Sequence, residues 1–92
     1  MRHLTFRIHA IKRMFQRRIT EKEVRSVLEN GEVIEAYPED SPYPSRLLFG
    51  WVGTKPLHVV AAENSQDEET IVITVYEPNR EEWAEGFKRR KD

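Results

Sequence analysis

His9, Arg13 and Arg17 recur every four residues within HAIKRMFQRR, a stretch that holds no acid. On a helix, residues four apart stand one turn above another, so the imidazole and the two guanidiniums point the same way. Lys12 lies on the same polar side and adds a further cation. Far along the chain, the apolar alternation of LHVVAA and TIVITVYE predicts two antiparallel strands, with Leu57, Val59 and Ala61 sharing a face with Ile71, Ile73 and Val75. A turn centred near Asp67 then sets His58 opposite Tyr76, with Cβ atoms about 5 Å apart.

These residue types suit one reaction in particular. Cleaving RNA without a metal needs a base for the 2′-hydroxyl proton, a cation on the pentavalent phosphate and an acid for the leaving 5′ oxygen. Histidine titrates near neutrality, and the arginine fork matches phosphate oxygens. His9, His58 and Tyr76 are therefore candidate catalytic groups, and Lys12, Arg13 and Arg17 candidate phosphate and RNA contacts.

Each has a plainer alternative. His9 at a helix start can cap or pack, and the arginines can solvate the helix or complement the negative end of its dipole. His58 on the less apolar face of a strand can be a structural hydrogen-bonding residue, and Tyr76 beside Glu77-Pro78 a packing residue at a strand end. The pairs Trp83 with Phe87 and Phe49 with Trp51 read as core rather than as platforms for bases. His3, His9 and His58 lack ligand spacing and the chain has no cysteine, so neither a metal nor another cofactor is expected.

The elements that must position these groups are marked locally. Thr20-Glu21-Lys22-Glu23 is a capping box, with Ile19 and Val24 where a hydrophobic staple belongs. It predicts a helix from about residue 21 that buries Val24, Val27 and Leu28 and stops at Asn30-Gly31, where glycine can adopt a positive φ. Upstream, Ile8, Ile11, Met14 and Phe15 repeat at helical spacing and are expected to face the core, completing a helix hairpin over 9–30 behind a short strand around Leu4 to Arg7. EVIEAY, RLLFGWV, LHVVAA and TIVITVYE then read as strands, interrupted by the proline-broken loop PEDSPYPS. A second box-like start at Asn79 to Glu82 predicts a short C-terminal helix bearing Trp83 and Phe87. The expected fold class is α+β: two N-terminal helices on a three- to four-stranded antiparallel sheet, with a short terminal helix.

Composition limits the partners. The 92 residues suffice for a single domain, 1–92, and their 15 Lys and Arg against 16 Asp and Glu leave a net charge of −1. That total hides segregation: residues 1–18 hold six cations and no acid, the middle is acidic, and the end, KRRKD, is basic again. Such blocks either solvate a surface or create a local positive patch. No stretch resembles a signal peptide or a membrane span, and the lack of cysteine fits a reducing compartment, so a cytoplasmic protein without a membrane partner is expected.

Taken in order, HAIKRMFQRRI, GEVIEAY, PLHVV and TVYEP followed by a tryptophan resemble the DUF4258 family over about residues 6–87. The family is similar to the BrnT and RelE-like toxins of bacterial toxin–antitoxin pairs. The resemblance implies a RelE-like arrangement of helices on an antiparallel sheet, metal-independent cleavage of mRNA, free or on the ribosome, and silencing by a cognate antitoxin protein. The motif positions fall on His9, Arg13, Arg17, His58, Tyr76 and Glu77. RelE-like ribonucleases are strongly basic, so in this near-neutral chain RNA binding must rest on a local patch. The expectation is thus a toxin-like endoribonuclease. The alternatives are a non-catalytic module for nucleic acid or protein, and an inactive toxin homologue.

Overall fold

A computed structural model describes residues 3–91; Arg2 of the basic start and Asp92 of the tail lie outside the described residues. The order of elements is β1 (His3–Phe6), α1 (Ile8–Arg17), α2 (Glu21–Asn30), β2 (Glu32–Tyr37), β3 (Ser45–Val52), β4 (Lys55–Asn64) and β5 (Glu69–Tyr76).

The α+β class stands, but the sheet corrects the expected architecture. Its five strands lie in the order β1-β5-β4-β3-β2 and are mixed in direction, with β1 parallel to β5 and every other pair antiparallel. The reason is topological. The two helices carry the chain from one edge of the sheet to the other, and the meander β2 to β5 walks back until β5 reaches β1. No short loop joins those two strands, so nothing local forces them antiparallel.

The expected C-terminal helix is also absent. Asn79 Oδ1 does accept from the backbone N–H of Glu81 and Glu82, at 3.0 and 2.8 Å. After one turn, however, the chain reverses through Gly86 and Phe87, both at positive φ, and an isolated bridge joins Trp83 to Arg90. A helix this short has little cohesion of its own, and here the segment folds to put both aromatic rings on the sheet.

The second helix begins as its capping box requires: Thr20 Oγ1 accepts from Glu23 N at 3.1 Å, and Glu23 Oε1 accepts from Thr20 N at 2.9 Å. That backbone bond holds the Glu23 carboxyl below its ordinary range, helped by Lys55 at 3.3 Å. Ile19, Val24 and Val27 are buried. Gly31 ends the helix for a different reason than expected. Its φ is −77°, but a Cβ there would meet Val27 O at 2.5 Å and Phe49 O at 2.7 Å. Glycine is required by close approach of two backbones rather than by a left-handed turn.

Alternation along β3 and β4 divides the core in two. Leu48, Leu57 and Val59 face the helices with Ala10, Val24 and Val27. Leu47 and Phe49 face the other way and pack with Trp83 and Phe87 of the C-terminal segment. The rotation of α1 departs from expectation. Its buried residue is Ala10, with Met14 partly buried, whereas Ile8, Ile11 and Phe15 are exposed. The amide of Arg7 donates to Val72 O at 3.0 Å just before the helix, and that of Ile19 to Met14 O at 2.9 Å just after it. The first bond ties the start of the helix to β5, the second only closes the last turn of the helix on itself, and the small, buried Ala10 lets the backbone lie close to the sheet.

Candidate functional site

The predicted register between β4 and β5 is observed where it bears on chemistry: His58 pairs with Tyr76 and Val59 with Val75. A bulge after Val60 then shifts the ladder so that Ala61 pairs with Val72. Val72, rather than Ile71 or Ile73, therefore joins Leu57, Val59 and Ala61 in the core on the helix side.

His58 is 0 % exposed, and both ring nitrogens are engaged. Nε2 lies 2.8 Å from the Phe87 carbonyl and Nδ1 lies 3.1 Å from the Tyr76 hydroxyl. A carbonyl can only accept, so Nε2 carries the proton and Nδ1 accepts from the tyrosine. The ring is packed edge-on against Trp83 at 4.3 Å and Phe49 at 5.8 Å. Burial pushes the imidazole below its ordinary value, with the positive Arg90 adding to the effect and the Phe87 bond opposing it. Burial likewise raises Tyr76. Nearby, Tyr37 donates to Glu35 at 2.7 Å and is raised to about 12, by burial first and then by that carboxylate. These groups form a polar cluster beside the C-terminal segment, with His58 fully buried and Glu35, Tyr37 and Tyr76 partly buried.

The cations of α1 are elsewhere. His9 and Lys12 are exposed, Arg13 is half-buried, and Arg17 reaches the end of the sheet. Eight residues of helix place His9 about 12 Å along the axis from Arg17. The structure brings together His58 and Tyr76; His58 is buried, and neither it nor His9 lines the groove that takes Arg17.

Arg17 instead enters a groove of about 370 Å³ that the sequence reading had not assembled. Its other walls include Trp51 from the end of β3, Thr54 from the β3–β4 turn, and Glu77, Arg80 and Phe87 from the chain beyond β5. Trp51 corrects the expectation of a core residue, because it is 53 % exposed. Its ring lies edge-on to Phe87, 6.0 Å between centroids, and the Arg80 guanidinium sits 5.5 Å above the same Phe87 ring. The β3–β4 hairpin closes with Gly53-Thr54, Gly53 at φ 63°, which carries Trp51 past the edge of the covering segment. Pro78 cannot extend the ladder and releases Glu77 and Arg80 into the groove. Alternation places Trp51 on the Phe49 face, yet no local signal says that the cover stops one residue pair short of it.

Another concavity, of about 260 Å³ beside α2, contains Arg46 and Glu63, but these pair at 2.7 Å and Thr70 donates to Glu63 at 2.8 Å. Its polar groups serve each other. Among the described residues no group of three or more histidines and carboxylates is placed to hold a metal ion, and no helix is long and apolar enough to cross a membrane.

The family model described as Domain of unknown function (DUF4258) matches residues 6–77. The chain belongs to the DUF4258 family. No curated protein and no solved structure matches it. The DUF4258 match takes in Arg17, Trp51, Thr54 and Glu77 of the groove, together with the buried His58 and Tyr76. Arg80 and Phe87 come from the segment beyond the match.

Proposed function

We propose that this DUF4258 chain is a toxin-like, metal-independent endoribonuclease that holds single-stranded RNA in the groove between the end of α1 and residues 77–80. One observation carries the reading: a half-exposed tryptophan shares a groove with two arginines and a carboxylate. Each part answers a need of the reaction. The flat face of Trp51 stacks a base, a contact worth about 1–3 kcal/mol and open only to an unpaired strand. Arg17 and Arg80 hold the phosphate and carry the charge that develops on it. Glu77 takes the proton of the 2′-hydroxyl, whose oxygen attacks phosphorus. The bond to the 5′ oxygen breaks, water in the open groove protonates that oxygen, and a 2′,3′-cyclic phosphate remains.

His58 and Tyr76 act here through Phe87. The buried His58, held by the Tyr76 hydroxyl, fixes the Phe87 carbonyl, and hence the ring that forms the groove floor. Both are positioning residues. His9, Lys12 and Arg13 extend the positive approach along α1. The same reading makes an antitoxin protein the natural partner and the cytoplasm the place of action.

A second reading, a binding module without catalysis, is favoured by the absence of any histidine from the walls of the groove. One experiment separates the two. Labelled single-stranded RNA is incubated with the protein and a chelator, with and without ribosomes. Cleavage to cyclic phosphate ends is expected, and it should fall about 10²-fold or more in Glu77→Gln, the scale of a lost general base. RNA bound through Arg17 and Trp51 but never cut would establish the binding module. RNA neither bound nor cut would remove both.

A further inference from the structure

The first helix carries an apolar stripe that the fold leaves uncovered. Ile8, Ile11 and Phe15 are 73, 53 and 88 % exposed. At about 100° per residue they lie within about 60° of arc, opposite the Ala10 side that meets the sheet. Single exposed apolar residues are ordinary, but three large ones aligned on one helix face mark an interaction surface. The helix is held with that face outward, because the Arg7 amide before it is tied to Val72 O on β5 and Ile19 after it is buried in the core.

Charge selects the occupant. Arg7, Lys12 and Arg18 flank the stripe, all exposed, and α1 contains no acid. A second copy of this chain would set cations against cations along the contact, which like-charge repulsion disfavours. We propose that the stripe docks an acidic amphipathic helix of another protein. Such a helix places apolar residues at i, i+3 or i+4, and i+7 against Ile8, Ile11 and Phe15, with Asp or Glu on both flanks facing Arg7, Lys12 and Arg18. The ten residues of α1 span about 15 Å, room for about three turns of the partner. The proposal does not need the ribonuclease reading: the two share Lys12, but Arg17, the groove's contribution from α1, lies on the side of the helix away from the stripe.

The test uses the full chain immobilised against a phage library of random peptides of about 16 residues, enough for about four helical turns. Enriched peptides should be acidic, with apolar residues at helical spacing. As synthetic peptides, they should bind the Ile11→Ser/Phe15→Ser variant at least about tenfold more weakly, while its thermal melt matches that of the parent. Lys12→Glu should weaken them as well, and added salt should lower the affinity. The proposal is overturned if no peptide is enriched, if the enriched peptides are neutral or basic, or if their binding survives the double substitution. It is equally overturned if the stripe instead mediates sedimentation as a dimer, or adsorption to phosphatidylglycerol vesicles with no peptide bound.

Discussion

The two faces of the sheet solve the same packing problem with different chemistry. On the helix side, Val24, Val27, Leu48, Leu57 and Val59 interlock with Ala10 and hold no buried titratable group. On the other side, Leu47 and Phe49 meet Trp83 and Phe87, and the same layer contains His58, Tyr76 and Tyr37 with shifted proton affinities. The buried core of the first face is apolar, and such burial is indifferent to pH; its ion pairs, Glu23–Lys55 among them, lie at the partly exposed rim. The second depends on hydrogen bonds and protonation, and its edge opens into the groove. Stability and chemistry are therefore separable by face, and substitutions on the two faces should behave differently.

The largest effect belongs to the aliphatic face. Leu57→Ala removes a fully buried side chain and should cost about 2–5 kcal/mol in denaturant unfolding, by lost transfer energy plus the cavity left behind. This loss should be the same at neutral and mildly acidic pH. A loss that varied strongly between the two would break the division between faces.

A smaller, pH-dependent effect belongs to His58. Its folded proton affinity lies below the ordinary 6.5, so the unfolded chain binds more protons as the solution is acidified past that value. The contribution is complete above 6.5 and is lost as pH falls below it. Glu23, lowered from 4.5 by its capping bonds, adds a loss only at still lower pH. Unfolding measured from neutral pH downward should show the first loss, and His58→Gln should flatten it. The variant should also cost about 1–3 kcal/mol at neutral pH if the Phe87 carbonyl is left without a donor.

The smallest stability change is expected at Trp51. With half its surface already in water, Trp51→Ala should cost less in unfolding than either variant above. Its effect should be on RNA, with affinity reduced by about 1–3 kcal/mol through the lost stack. Binding titrations and melts on the same samples would separate the two.

How far the molecule could be read in advance follows from which interactions are local. The capping box at Thr20 and the four hairpin-forming runs depend on neighbours in the chain, and they formed as expected. The pairing of His58 with Tyr76 followed from alternation and one short turn. Periodicity in α1 revealed an apolar side but not which side meets the sheet, because that was decided by Ala10, by the Arg7 bond to β5 and by the burial of Ile19. The parallel partner of β1 lies more than sixty residues away, beyond any local signal. The terminal helix failed at Gly86 and Phe87, whose positive φ values reflect packing onto the sheet. Of the site, Arg17 was legible. Trp51 and Arg80 were not, because only the course of the C-terminal segment decides what it covers and what it leaves open.

The most direct test of the account is to locate bound RNA. A single-stranded RNA carrying 4-thiouridine is photo-crosslinked to the full chain, and the crosslinked residues are identified by mass spectrometry. Crosslinks at Trp51 and within residues 77–87, reduced in Arg17→Ala, are the predicted result. Crosslinks confined to the exposed stripe of α1 or to α2, with Trp51 and residues 77–87 unmarked, would contradict it.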